Sequence, residues 1–163
     1  DLLAPIAGLP GARLIVVGGG PAEPALRRAL PGAVFLGMRH GAQLARIYAS
    51  LDVFVHSGPF ETFGQTIQEA AASGLPVIAP NTGGPVDLVE DGVTGYLVPP
   101  LQAEALAQAA AVLVNDPQLR ARMGAAGRQA VLGRSWSAVC DELIGHYEAV
   151  LGSPWRALTP AAA

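Results

Sequence analysis

A chain of 163 residues, 51% hydrophobic and 14% charged, has the size of one globular domain and ample apolar material for a core, which excludes a largely disordered protein. Its net charge of −3 supplies no basic footprint for nucleic acid or for an anionic membrane surface. The single cysteine, Cys140, excludes an internal disulfide and fits a reducing compartment, and no apolar run is long enough to span a membrane.

Residues 1–7 read as the end of a helix already under way, with no start signal before it. The chain therefore reads as a piece of a longer polypeptide, and the lack of a targeting segment says little about its parent. Five short apolar runs follow, at 14–17, 34–36, 53–55, 76–79 and 96–98. Each is continuous rather than alternating, as strands covered on both faces require. Helical stretches separate them at 24–30, 43–50 and 64–73, with a short turn at 86–89. That alternation predicts βαβ units and a Rossmann-like parallel sheet with helices on both faces. Its ligands would sit in loops after the strands. From 103 the pattern becomes purely helical, with helices expected at 103–114, 118–132 and 137–151. The last carries Val139, Leu143, Tyr147 and Val150 at the spacing of a packing stripe. Residues 1–151 are taken as one domain and 152–163, with two Pro and a closing Ala run, as a flexible tail.

The chemistry concentrates between Val53 and Val98. A Gly- and Pro-rich loop, His56-Ser57-Gly58-Pro59-Phe60-Glu61-Thr62-Phe63-Gly64, leads into a helix that Gly74 stops. Two acids thus bracket one helix N-terminus, Glu61 before it and Glu69 on it. The opening amides near Phe63, Gly64, Gln65 and Thr66 lack intrahelical acceptors and suit a phosphate at the positive end of the helix dipole. Gly64 has no side chain to obstruct an oxyanion. A carboxylate on either side would accept hydrogen bonds from sugar hydroxyls, so the layout fits hexose, pyrophosphate and ribose in a row.

The segment Glu61-Thr62-Phe63-Gly64-Gln65-Thr66-Ile67-Gln68-Glu69 resembles the Glu-x7-Glu motif of family 4 glycosyltransferases, which have the GT-B fold. The stretches that follow, through Gly74-Leu75-Pro76, Thr82-Gly83-Gly84-Pro85 and Asp91-Gly92-Val93-Thr94-Gly95, are similar to the same family. The resemblance covers the chain up to Leu151 as the family's C-terminal, donor-binding domain. It implies a retaining, metal-independent transferase in which Glu61, the residue at the catalytic centre, positions the transferred hexose through its hydroxyls, helped by the amides of Phe63 and Gly64. Glu69 would bind ribose, and the backbone of Gln65, Thr66 and Ile67 would meet the diphosphate. The turn Gly37-Met38-Arg39-His40 resembles the base-binding loop, and Gly18-Gly19-Gly20 a Gly-rich turn lining the interdomain cleft. His56 stands beside the motif, divided between reaching the sugar and a structural hydrogen bond. The closest look is to bacterial mannosyltransferases using GDP-mannose to build lipid-linked glycans. That implies a nucleotide sugar, GDP-mannose, as donor substrate and no cofactor. It also implies a lipid or glycan acceptor held by an N-terminal domain outside this chain, and a cytoplasmic site of action, peripheral to the inner face of the membrane.

The family's Arg and Lys that clamp the diphosphate belong to an upstream segment with no counterpart here, so the fragment is expected to bind nucleotide weakly and not to turn over. A dehydrogenase-type nucleotide fold is disfavoured because Glu23 stands where G-x-G-x-x-G needs its third Gly. A non-catalytic nucleotide-sugar-binding module, a UDP-sugar transferase and an epimerase remain as rivals, while a phosphorylase would need a pyridoxal-phosphate lysine that the motif region does not offer. His40 and His146 have no metal-ligand spacing, so no metal site is expected. Asp87 and Asp91 are expected to organise turns or cap a helix, Arg120, Arg122 and Arg128 to face solvent, Trp136 and Tyr147 to serve core or interdomain packing, and Cys140 to be packed within its helix.

Overall fold

The structure, a computed structural model, describes residues 2–152. In chain order it comprises α1 (Ala4–Ala7), β1 (Ile15–Val17), α2 (Glu23–Ala29), β2 (Val34–Gly37), α3 (Gly41–Tyr48), β3 (Phe54–Val55), α4 (Gln65–Ala72), β4 (Val77–Pro80), a 3-10 turn (Gly84–Asp87), β5 (Gly95–Val98), α5 (Ala103–Asn115), α6 (Pro117–Val131) and α7 (Trp136–Gly152). All five expected strands form, and helix boundaries move by a residue or two, as frayed helix ends do. The opening residues differ from expectation. The first helix is a single turn that starts at Ala4, with Pro5 near its beginning, where a missing N–H leaves nothing unsatisfied.

Every strand pairing is parallel. The ladders fall into two groups, β1 with β2 and β3-β4-β5, and the two ladders of the second group share β4. Side chains on β3, β4 and β5 alternate between two apolar layers, as the period of two demands. Val55, Ile78 and Val98 pack with Leu106, Ala107, Ala110 and Leu113 of α5 and Met123 of α6. Phe54, Val77, Ala79 and Leu97 pack with Tyr48 of α3 and with Ile67 and Ala70 of α4. Helices therefore cover both faces, and β4 is buried along its whole length. On α6, Gly124 brings its backbone against Gly74, where an added Cβ would overlap the Gly74 carbonyl oxygen.

Contacts divide the chain into one unit ending at Val131 and a second from Leu132 onward. The described part of the second unit is essentially α7, and none of its residues is buried. The expected packing stripe is thus corrected: Leu143, Tyr147 and Val150 are exposed and only Val139 is partly covered. Trp136 and Cys140 are exposed as well. The physical reason is that within this unit the helix has no second described element to pack against. The tail expected at 152–163 lies outside the described residues except for Gly152, which ends α7.

Candidate donor site

The loop leaving β3 is shaped by Glu61. Its Oε1 accepts the backbone N–H groups of Thr62 (2.9 Å), Phe63 (3.1 Å) and Gly64 (2.9 Å). Gly64 then turns the chain into α4 with φ 66° and ψ 37°, a left-handed conformation that costs a side-chain-bearing residue energy. A Cβ added at Gly64 would strike the Leu88 side chain. The amides of Phe63 and Gly64, expected to face a sugar, are therefore held by the protein's own carboxylate. Ile67 is likewise taken, its N–H donating to the Gly64 carbonyl at 3.0 Å. Among the described residues, the amides of Gln65 and Thr66 are the ones left without an acceptor at this helix opening. The Glu61 carboxyl is held below its ordinary pKa, first by the Gly64 amide and then by those of Phe63 and Thr62 and by nearby His56, with partial burial opposing them.

The loop is braced from behind by a segment to which the sequence analysis assigned no role. Gly84 donates its N–H to the Glu61 carbonyl at 2.8 Å, and a Cβ on Gly84 would overlap the Thr62 carbonyl. The Gly83-Gly84 pair was the available signal, since two adjacent glycines before a proline often mark close backbone approach. One turn into α4, Glu69 accepts a hydrogen bond from the Gln65 side chain at 3.2 Å. Tyr48, also unassigned beforehand, lies behind the same turn with its hydroxyl 3.5 Å from the Thr66 carbonyl.

His56 donates its backbone N–H to Ile78 at 2.8 Å, while its ring Nε2 is buried with no hydrogen-bond partner among the described residues. It lines a small recess with Ser57, Pro80, Val98 and Leu101 at the carboxyl ends of β3, β4 and β5. A structural hydrogen bond through Nε2 is thus not what holds this ring.

The two other candidate loops meet each other. Gly18 donates its N–H to the Gly37 carbonyl at 2.9 Å, joining the turns that follow β1 and β2. Gly19 and Gly20 are exposed, as are Met38, Arg39 and His40, and Arg39 folds back onto the Met38 carbonyl at 2.9 Å. Asp91 does organise a turn, accepting the Leu97 N–H at 2.9 Å, whereas Asp87 sits exposed in the 3-10 turn. Of the arginines expected to face solvent, Arg122 and Arg128 are exposed and Arg120 is partly covered, and two of the three also bind helix-end carbonyls. Arg120 binds the Leu113 and Val114 carbonyls at the end of α5, and Arg128 binds the Ala72 carbonyl at the end of α4. Cations suit those orphan carbonyls at the negative end of a helix.

The family model described as Glycosyl transferases group 1 matches residues 2–116. A GDP-mannose-dependent alpha-mannosyltransferase of Mycobacterium tuberculosis (strain CDC 1551 / Oshkosh) is 54% identical over 153 residues, covering 93% of this chain and 40% of that protein. One from Corynebacterium glutamicum is 42% identical, covering 96% and 38%. The sucrose-phosphate synthase structure from Thermosynechococcus elongatus superposes with a TM-score of 0.82 at 30% identity, over 93% of this chain and 41% of that one. Anabaena Alr3699/HepE in complex with UDP-glucose superposes at 0.79 with 27% identity, over 91% and 44%. The chain spans about two fifths of the length of the curated relatives it matches.

Proposed function

The chain belongs to the group 1 glycosyl transferases, and from that premise we propose that it forms the nucleotide-sugar-binding part of a retaining transferase that moves mannose from GDP-mannose to a lipid or glycan acceptor. One observation carries the reading. The first turn of α4 keeps the Gln65 and Thr66 amides open between two carboxylates, Glu61 and Glu69. The diphosphate would rest on those amides, where the helix dipole stabilises its charge as it leaves. Glu69 would accept the ribose hydroxyls. Glu61 would accept hydroxyls of the hexose through the oxygen its loop amides do not engage. Three amide bonds make Glu61 a weak base, which suits a hydrogen-bond acceptor better than a nucleophile. The acceptor would then attack from the face the diphosphate leaves, and no metal or cofactor is required of this chain. We place the activity in the cytoplasm, peripheral to the membrane; the lone cysteine fits that compartment, and no helix among the described residues is long and apolar enough to cross a membrane.

Likeness to a structure with bound UDP-glucose keeps a UDP-sugar donor as the second reading. Equilibrium titration with GDP and UDP separates the two: GDP should bind more tightly, and Glu69→Ala should weaken it by about 10-fold, the loss of a charge-assisted hydrogen bond. Preference for UDP would remove the mannose assignment, and an unchanged affinity in Glu69→Ala would remove the role of that acid.

A further inference from the structure

The turn behind the Glu61 loop does more than cover it. Gly84 donates its N–H to the Glu61 carbonyl at 2.8 Å. At the other end of the same peptide unit, the Thr62 N–H donates to Glu61 Oε1 at 2.9 Å. Among the described residues no peptide is cis, and in a trans peptide the C=O and N–H point in opposite directions. With the carbonyl drawn to Gly84, the Thr62 N–H is turned away from the brace, to the side on which the carboxylate lies. Two further contacts stiffen the brace. Gly83 has φ 63° and ψ −150°, a region open essentially to glycine, and a Cβ there would come 2.7 Å from the Glu61 carbonyl oxygen. Pro85 is fully buried and accepts the Leu88 N–H at 3.1 Å, and the Leu88 side chain lies against Gly64 at the far end of the loop.

Resting on the reading of Glu61 as the acceptor of hexose hydroxyls, we propose that Gly84 is a positioning residue for that acid. Its N–H orients the Glu61–Thr62 peptide and, through that peptide, the carboxylate, so the segment after β4 governs recognition of the transferred sugar by acting through Glu61. Glycine is required at this position because a side chain would overlap the Thr62 carbonyl and push the peptide off its place. A carboxylate already fixed in its binding orientation loses less freedom when a ligand engages it, which is how preorganisation strengthens binding. The nucleotide end of the site is carried separately. The Gln65 and Thr66 amides and Glu69 lie on α4, which is seated through the buried residues Ile67 and Ala70. A shift of the Glu61–Thr62 peptide therefore moves the hexose contact and leaves the diphosphate and ribose contacts in place.

Two readouts test this, one of them free of ligand. Gly84→Ala introduces the overlapping methyl, and a second variant replaces the Gly84 amide with an ester, which removes the N–H donor and adds no bulk. Each is melted to check its fold, the Glu61 carboxyl is titrated by carboxyl-carbon NMR, and affinities for GDP-mannose and GDP are measured. The Glu61 carboxyl is held below its ordinary value, first by the Gly64 amide. Both variants should raise it toward that ordinary value, because a displaced peptide loosens the amides on Oε1. Both should weaken GDP-mannose by about 3- to 10-fold, the range of one hydrogen bond, and leave GDP unchanged. In a Glu61→Ala background neither change should weaken GDP-mannose further. An unmoved Glu61 titration, or equal weakening of both ligands, would overturn the positioning role. Should Gly84→Ala fail to melt cooperatively, the ester variant decides alone. If Glu61→Ala itself leaves the ratio of GDP-mannose to GDP affinity unaltered, the acid does not read the hexose and the proposed function loses that contact, while the carboxyl titration still decides whether Gly84 positions it.

Discussion

Glu61 anchors one carboxylate oxygen on three successive amides, so its ionisation and the shape of its loop are one property. Because the folded carboxyl titrates below its ordinary pKa of 4.5, the charged form is favoured by folding. The stabilisation is therefore present above that ordinary value and is lost as pH falls through the lower folded one. Glu61→Gln keeps an oxygen that can accept the same amides but removes the charge, so it should melt below the unmodified protein at neutral pH. That gap should close in acid, where both residues are neutral, and melting curves from pH 7 to pH 3 measure it. A gap independent of pH would mean that the amides do not sense the charge. The side chain is too exposed for the effect to be large.

At the scale of elements, the contact between α4 and α6 is set by Gly124, whose missing side chain lets the helix lie against the Gly74 carbonyl. Gly124→Ala improves helix propensity by about 1 kcal/mol yet forces these backbones apart, and overpacking of this kind costs ~1–3 kcal/mol. A net drop of a few degrees in melting temperature is expected, in contrast with the rise that propensity alone would give. The parallel strands and their covering helices were legible because Val, Ile and Leu runs alternate with amphipathic stretches, a pattern written locally. So was the bracket of Glu61 and Glu69 around one helix opening. The return of the Glu61 carboxylate onto its own amides was not legible, because a side chain's rotamer leaves no mark in spacing. Nor was Arg128 on the Ala72 carbonyl, 56 positions away, or the hydroxyl of Tyr48 behind α4. Each depends on which helices the fold brings together. The stripe expected on α7 failed for the opposite reason: its spacing is real, but spacing names no partner.

At the scale of the whole molecule, the chain covers about two fifths of the length of its curated relatives. The chain alone is therefore expected to bind GDP and to show no mannose transfer, read by release of GDP from GDP-mannose in the presence of acceptor lipid. Transfer at the rate of a full-length relative would overturn that division of labour. The bracing of the Glu61 loop bears on how such proteins diversify. Its bonds run from main-chain amides to Glu61 and from Gly84 to the Glu61 carbonyl, while the Phe60 side chain, 98% exposed, and that of Thr62 stand outside the frame. Change at those two positions is decoupled from the placement of the acid beside them: either side chain can be replaced while the carboxylate keeps its three main-chain anchors.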